Sequence, residues 1–374
     1  MQDTYRFDGM ESVPSPSLIF FEDLIDQNIN EMIRVAGGTD RLRPHCKTHK
    51  TNAIVRKLMD AGITRHKCAT IAEAEMLADA GATDIFLAYN VVGPNIARIV
   101  ELVEKYPEID LLVTADHPKP LAALSEALDG SERSVGVVMD LDTGLRRTGI
   151  SPGEDAVSLY EMISSMPGIR PGGLHWYDGQ HRQTDLVERK LAVEAGIQKL
   201  LKLRDRLLFN GFEVPHIIVG GTGSFPIHAD HQEPNLELSP GTIILHDAGY
   251  GTIYPDLNFT PAAVVLTRVV SRPSDTRVTF DLGSKAIAAD PPAGNRCSFP
   301  WLSDAREVLQ NEEHLVLECD EPSAVADIVP GDMQVAIPWH VCPTSALYSS
   351  AYVVREGKLA DRWEITARNR SLTV

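Results

Sequence analysis

Within RLRPHCKTHK, Lys47 stands among Arg43, His45, His49 and Lys50. Neighbouring cations and desolvation both disfavour an ammonium, and an amine kept neutral can form a Schiff base with a carbonyl. The same residue types also suit an ion-pair partner or a solvated side chain, so Lys47 alone leaves both readings open. MDLDTGLRRTGI sets Arg146 and Arg147 in a glycine-flanked turn, where a plain surface role competes with ligand contact. GLHWYDGQHR offers Tyr177, able to stack on or hydrogen-bond a planar ligand, and His181, able to move a proton; His175 and Trp176 equally suit packing. In VGGTGSF, Gly221 and Gly223 let backbone N–H groups approach an anion, and Thr222 and Ser224 add hydroxyl donors, with an ordinary turn as the competing reading. PWHVCPT places His340 and Cys342 two apart. If that stretch is extended, both side chains share one face, and imidazole with thiolate suits zinc, with water filling open positions; a buried cysteine beside a satisfied histidine is the alternative.

These residues need elements to position them. From Pro16 to about Asp247, short apolar runs at 42–47, 67–71, 84–89, 110–115, 134–141, 173–177, 216–220 and 242–247 alternate with helical segments such as NAIVRKLMDAG and IAEAEMLADAG, both closed by glycine. The longest, 186–210, carries charge on one face and Leu or Ile on the other. Eight strands separated by helices predict a (β/α)8 barrel, although an open doubly wound sheet shares that alternation. Barrel sites lie where strands end, which puts Lys47 after the first strand and Arg147 after the fifth. Tyr177 then follows the sixth, the glycine loop the seventh, and HDAGYG with Tyr250 the eighth. Barrels often hold phosphate after strands seven and eight, so the loop's place and chemistry agree. The Pro-rich connection SFPIHADHQEPNLELSP is expected to be an irregular ligand loop. After Tyr250, segments such as AAVVLTRVVSR, HLVLECDE and MQVAIP read as strands. The division expected is a barrel over 15–255 and a mostly β domain over 256–374, joined by 1–14 as an extra strand.

A formal charge of −17 argues against a nucleic-acid surface, which needs clustered Lys and Arg. Hydrophobic residues at 43% and charged residues at 23% allow a sizeable core. Five widely spaced cysteines suggest no disulfide framework. The N-terminus lacks a basic region and an apolar run, and no stretch approaches the roughly 18 apolar residues of a membrane helix. A soluble cytoplasmic protein without membrane or nucleic-acid partners is expected.

RPH-x-K-T-H-K at 43–50 resembles the lysine motif of the pyridoxal phosphate (PLP) enzymes that include D-threonine aldolases and D-serine dehydratases. These are fold-type III enzymes with the alanine-racemase fold, a PLP-binding barrel followed by a β domain, and the resemblance runs in order along nearly the whole chain. It implies that Lys47, rather than Lys50, carries PLP as a Schiff base. DTGLRRTG resembles the family's D-T-G-x-x-R-x-G element, which implies Arg147 beside the cofactor ring, where a fixed charge keeps the pyridine nitrogen unprotonated. The resemblance further implies Tyr177, with His181 a loose match, next to the cofactor. It places the phosphate at Gly221, Thr222, Gly223 and Ser224, and a further contact at Tyr250. His340 and Cys342 are implied to hold a divalent metal (Zn, Mn or Mg) beside the substrate. Aldolases of the family carry H-x-D here and dehydratases H-x-C, so the chain departs from the aldolase pattern at one position.

The activity implied is PLP- and metal-dependent cleavage of β-hydroxy-D-amino acids, D-threonine giving glycine and acetaldehyde, by a homodimer. The alternative is a D-serine or D-3-hydroxyaspartate dehydratase that forms a 2-oxo acid and ammonia. A racemase comes third, because racemisation has no use for a metal at a β-hydroxyl. A non-catalytic PLP carrier comes last, because it needs no metal at all.

Overall fold

In the computed structural model, which describes residues 4–302 and 304–374, the chain forms two units. The first strand, β1 (Ser17–Phe21), belongs to the mainly β unit. The other unit is built on seven strands in chain order: β2 (Arg65–Cys68), β3 (Asp84–Asn90), β4 (Asp110–Ala115), β5 (Val135–Asp140), β6 (Ile169–Trp176), β7 (Ile217–Val219) and β8 (Leu236–Leu238). Neighbours pair in parallel throughout. Strands covered on both faces read as continuous apolar runs, and β5 (VGVVMD) is buried along its whole length. Helices Asn52–Asp60, Ile71–Asp79, Asn95–Lys105, Pro118–Leu128, Glu154–Ser165 and Leu186–Phe209 make the crossovers. Thr70 caps one of them through the Glu73 amide and Asp185 caps the longest through the Glu188 amide, each worth about 1 kcal/mol.

Residues 42–45 close the ring. Leu42 bridges Leu238 of the last strand and His45 bridges Lys67 of the first, both in parallel. The Arg43 amide donates to the Leu238 carbonyl and the Lys67 amide to the Pro44 carbonyl, each at 2.9 Å. The barrel therefore has its eighth stave, although the expected strand over 42–47 does not form. Pro44 offers no N–H to a ladder, and Cys46–Thr48 turns into a 3-10 helix. The expected strand over 242–247 is also corrected. Thr242–Ile244 is a 3-10 turn, and the last parallel strand, β8, lies inside the connection expected to be irregular. Ile243, Ile244 and Leu245 are fully buried there, and a short apolar run does not distinguish a strand from a buried turn. Phe86, Leu112, Val138 and Ile218, from β3, β4, β5 and β7, fill the middle of the barrel.

The β unit takes residues up to Glu31, Thr48–Thr51 and Thr242–Arg368. Its strands are β1, β9 (Ala263–Ser271), β10 (Arg277–Phe280), β11 (Cys297–Ser298), β12 (Ala305–Gln310), β13 (Leu315–Cys319), β14 (Met333–Pro338), β15 (Ser350–Arg355) and β16 (Lys358–Glu364). Their order is β12-β13-β10-β9-β1-β15-β16, with β14 joining β9 to β11. Residues 4–14 add no strand. Asp8 makes one bridge to Lys358, while Tyr5, Phe7, Met10 and Val13 pack on Ile19, Phe21, Val264 and Leu266. Residues 1–3 of the expected N-terminal strand lie outside the described residues. Among the described residues no helix is long and apolar enough to cross a membrane.

Candidate active site

Lys47 stands on the 3-10 turn that follows the closing stave. A buried brace fixes that turn. His45 Nδ1 accepts the Lys47 amide at 3.2 Å, while Glu73 accepts the Ala69 amide at 2.6 Å and the Cys46 thiol at 3.8 Å. His45, Cys46 and Glu73 lie close enough together to bind a metal ion, yet these hydrogen bonds commit His45 Nδ1 and Glu73 Oε2 to the turn. A side chain at Gly241 would put its Cβ 2.9 Å from that of His45, so only glycine lets the chain pass.

Three cations gather on one aromatic ring at this end of the barrel. Arg147 lies 4.6 Å, Lys47 5.8 Å and Lys67 5.9 Å from the centre of Tyr177. Their mutual repulsion favours an anionic ligand and a neutral amine. Lys67 was missed from the sequence. It sits in β2, fully buried, with Nζ 2.9 Å from His175 Nε2, and His175 Nδ1 lies 2.7 Å from Asp140 Oδ1. Burial, then the charge of Lys67, pushes His175 down to about 4. The neutral ring thus donates to Asp140 from Nδ1 and accepts from Lys67 at Nε2. Burial, then Lys47, pushes Lys67 down to about 7. Burial works against ionised Asp140, but His175, the Thr148 hydrogen bond and the charge of Lys67 together more than offset it, and the carboxyl is held below its ordinary value.

The glycine loop follows β7. Gly220 has φ +81°, the left-handed region glycine enters without strain. A Cβ at Gly221 would come to 3.0 Å from Tyr177 Cε2. The Gly221 amide donates to Ser224 Oγ, which donates to Asp178 Oδ1 at 2.5 Å; the other Asp178 oxygen meets His228 Nε2 at 2.8 Å. Ser224 thus spends its hydroxyl on the buried Asp178, leaving its backbone N–H for an anion. The amides of Thr222, Gly223 and Ser224 donate to no acceptor among the described residues. His181 is half-buried, its amide on the Asp178 carbonyl, and burial lowers its pKa. Asp178 and His228, 50 positions apart, had no local signal in the sequence. An amine, a fixed guanidinium, an aromatic face and a turn of open amides fit an aldehyde that carries a phosphate, as PLP does.

In the β unit, His340 and Cys342 meet at a helix start rather than along a strand. His340 is the N-terminal cap of Val341–Leu347 and Pro343 lies in its first turn, a position that tolerates proline. His340 Nδ1 lies 2.5 Å from Asp290 Oδ2. Cys342 Sγ lies 3.1 Å from the hydroxyl of Thr48, the residue after Lys47 in the chain, and 3.6 Å from that of Thr242. Burial works to lower the His340 pKa, but Cys342 and Asp290 more than offset it and raise it to about 9. Burial raises the Asp247 carboxyl to about 6, while it accepts the amides of Tyr250 and Val341. Tyr250 stacks on Tyr254 with centres 5.6 Å apart. Among the described residues no third His, Cys, Asp or Glu groups with His340 and Cys342 at metal-ligand spacing. The donor pair, with Asp290 orienting the imidazole, fits a divalent ion whose other positions belong to water or a substrate oxygen.

Residues 262–354 match the putative serine dehydratase domain. The chain is 29% identical to the D-threonine aldolase of Arthrobacter sp. over 376 residues, 97% of this chain and 95% of the relative. It is 24% identical to the D-threo-3-hydroxyaspartate dehydratase of Delftia sp. (strain HT23), over 97% of this chain and 99% of that one. The crystal structure of D-threonine aldolase from Filomicrobium marinum superposes with a TM-score of 0.88 at 29% identity, covering 96% of each chain. Residues 22–247, more than half of the sequence, match the alanine racemase N-terminal domain, and the chain belongs to that family.

Proposed function

We propose that this chain is a PLP- and divalent-metal-dependent lyase that cleaves β-hydroxy-D-amino acids, converting D-threonine to glycine and acetaldehyde. The observation that carries this reading is the gathering of Lys47, Arg147 and Lys67 on Tyr177 at the barrel mouth. Bound PLP supplies an electron sink for the pair left at Cα when the Cα–Cβ bond breaks. Lys47 would anchor the cofactor through its amine. Arg147, permanently charged, would leave the ring nitrogen unprotonated. With Gly221 letting the loop come close, the amides of Thr222, Gly223 and Ser224 would hold the phosphate, and Tyr177 and Tyr250 would orient the cofactor. His181 moves the proton of the β-hydroxyl. His340 and Cys342 would hold the metal, a Lewis acid for that hydroxyl. The protein acts as a cytoplasmic homodimer in this reading.

Cys342 favours a second reading, dehydration, in which Lys47 takes the α-proton and the β-hydroxyl leaves, D-serine giving pyruvate and ammonia. Product analysis with D-threonine and D-serine, each with and without added metal, separates the two. Glycine and acetaldehyde in equal amounts support the aldolase, a 2-oxo acid with ammonia supports the dehydratase, and the absence of both overturns the lyase reading.

A further inference from the structure

We propose that Lys67, held by His175 and Asp140, is a positioning residue whose buried charge acts on the cofactor linkage carried by Lys47. The inference rests on reading Lys47 as the PLP anchor. It concerns a residue that the family's lysine motif does not contain.

Its basis is an unusual way of burying a lysine. Two other buried charges in this protein meet their counter-charges directly. Arg43 contacts Glu237 and Asp84, each at 2.5 Å, and the buried Glu75 carboxylate is met by Lys105 at 2.8 Å. Such direct contact compensates the loss of hydration. The Lys67 amine is fully buried, yet an imidazole separates it from the nearest carboxylate. His175 is neutral, so it fixes the amine in place without cancelling its charge. Phe86 and Tyr177 present rings to the same nitrogen at 5.7 and 5.9 Å.

The remaining charged groups acting on Lys67 are Lys47 on the 3-10 turn, Arg43 on the closing stave, Arg147 on the loop after β5, and Asp140 at the end of β5. Arg43 is already met by Glu237 and Asp84, so the balance around Tyr177 is Lys47, Arg147 and Lys67 against Asp140, which leaves a net positive potential. Lys67 is tethered by His175, so a proton on its amine opposes a second positive charge at the linkage between Lys47 and the cofactor. A lysine serving only to fill space would be replaced by methionine without electrostatic consequence.

The test is a spectroscopic pH titration of the PLP-loaded enzyme, following the near-visible band of the Lys47-linked cofactor in the parent protein and in Lys67→Met, Lys67→Gln and Lys67→Arg. Gln retains a donor for His175 and covers the case in which Met does not fold. Removal of the charge in Met or Gln is expected to raise the band's midpoint by about one pH unit or more, at least a roughly tenfold gain in proton affinity. The two amines lie 5.8 and 5.9 Å from the Tyr177 centre, and Coulomb coupling across even about 12 Å at an effective dielectric near 20 gives that much. Arg, a fixed cation, is expected to leave the midpoint at or below the parent value. An unchanged midpoint in Met or Gln, with the label still on Lys47 after borohydride reduction, overturns the inference and leaves the lyase reading intact. A label on another lysine in the parent overturns both.

Discussion

Lys67 Nζ lies 2.9 Å from His175 Nε2, a buried amine against a neutral imidazole. With its pKa lowered to about 7, the folded protein binds fewer protons here than the unfolded chain between that value and the ordinary 10.5. Stability therefore rises with pH across this window, and the full penalty is present below it. Lys67→Met is expected to raise stability by about 1–3 kcal/mol near pH 6, with the gain fading toward pH 10. Urea denaturation of the apoprotein at the two pH values measures it, and a variant less stable at both would show Lys67 to be a structural support.

Gly221→Leu places a side chain where Tyr177 stands 3.0 Å from the first added carbon. The variant is expected to fold but to hold PLP at least tenfold more weakly, since the loop backbone is pushed away from the phosphate. Cofactor titration by fluorescence measures the change. Unchanged affinity in a folded variant counts against a phosphate site in this loop.

Asp178 carries Ser224 on one oxygen and His228 on the other, all buried. Asp178→Ala strands both partners and is expected to cost about 3–5 kcal/mol, while Ser224→Ala, which leaves the Asp178–His228 pair intact, costs about 1–2 kcal/mol. Thermal melts of the two variants give the ranking, and equal losses would contradict the network.

Cys342→Ala removes one of two proposed metal ligands and is expected to reduce metal retention at least tenfold, leaving the near-visible band of the bound cofactor in place. Retention should fall as pH drops, because the thiol must lose its proton to bind. Metal content after gel filtration reads both effects. Full retention by Cys342→Ala would place the metal elsewhere.

Much of this was legible in the sequence because the relevant signals are local. Strand β4 has the bounds its apolar run predicts, and Lys47 is marked by a motif of eight residues. The misplaced staves failed for physical reasons. Pro44 withholds a donor, so residues 42–45 close the barrel by bridges, and the buried run after Gly241 satisfies itself as a turn. His340 and Cys342 come together, but at a helix start that Pro343 permits. Lys67, Asp178 and His228 depend on contacts between distant strands and loops, and one lysine in RHKC carries no sign that its amine faces His175, 108 positions away.

The most direct test of the central claim is borohydride reduction of the PLP-loaded protein followed by peptide mapping. The account predicts the pyridoxyl group on Lys47, in the peptide that contains RPHCKTHK. A label on Lys50, Lys67 or Lys285 would contradict it.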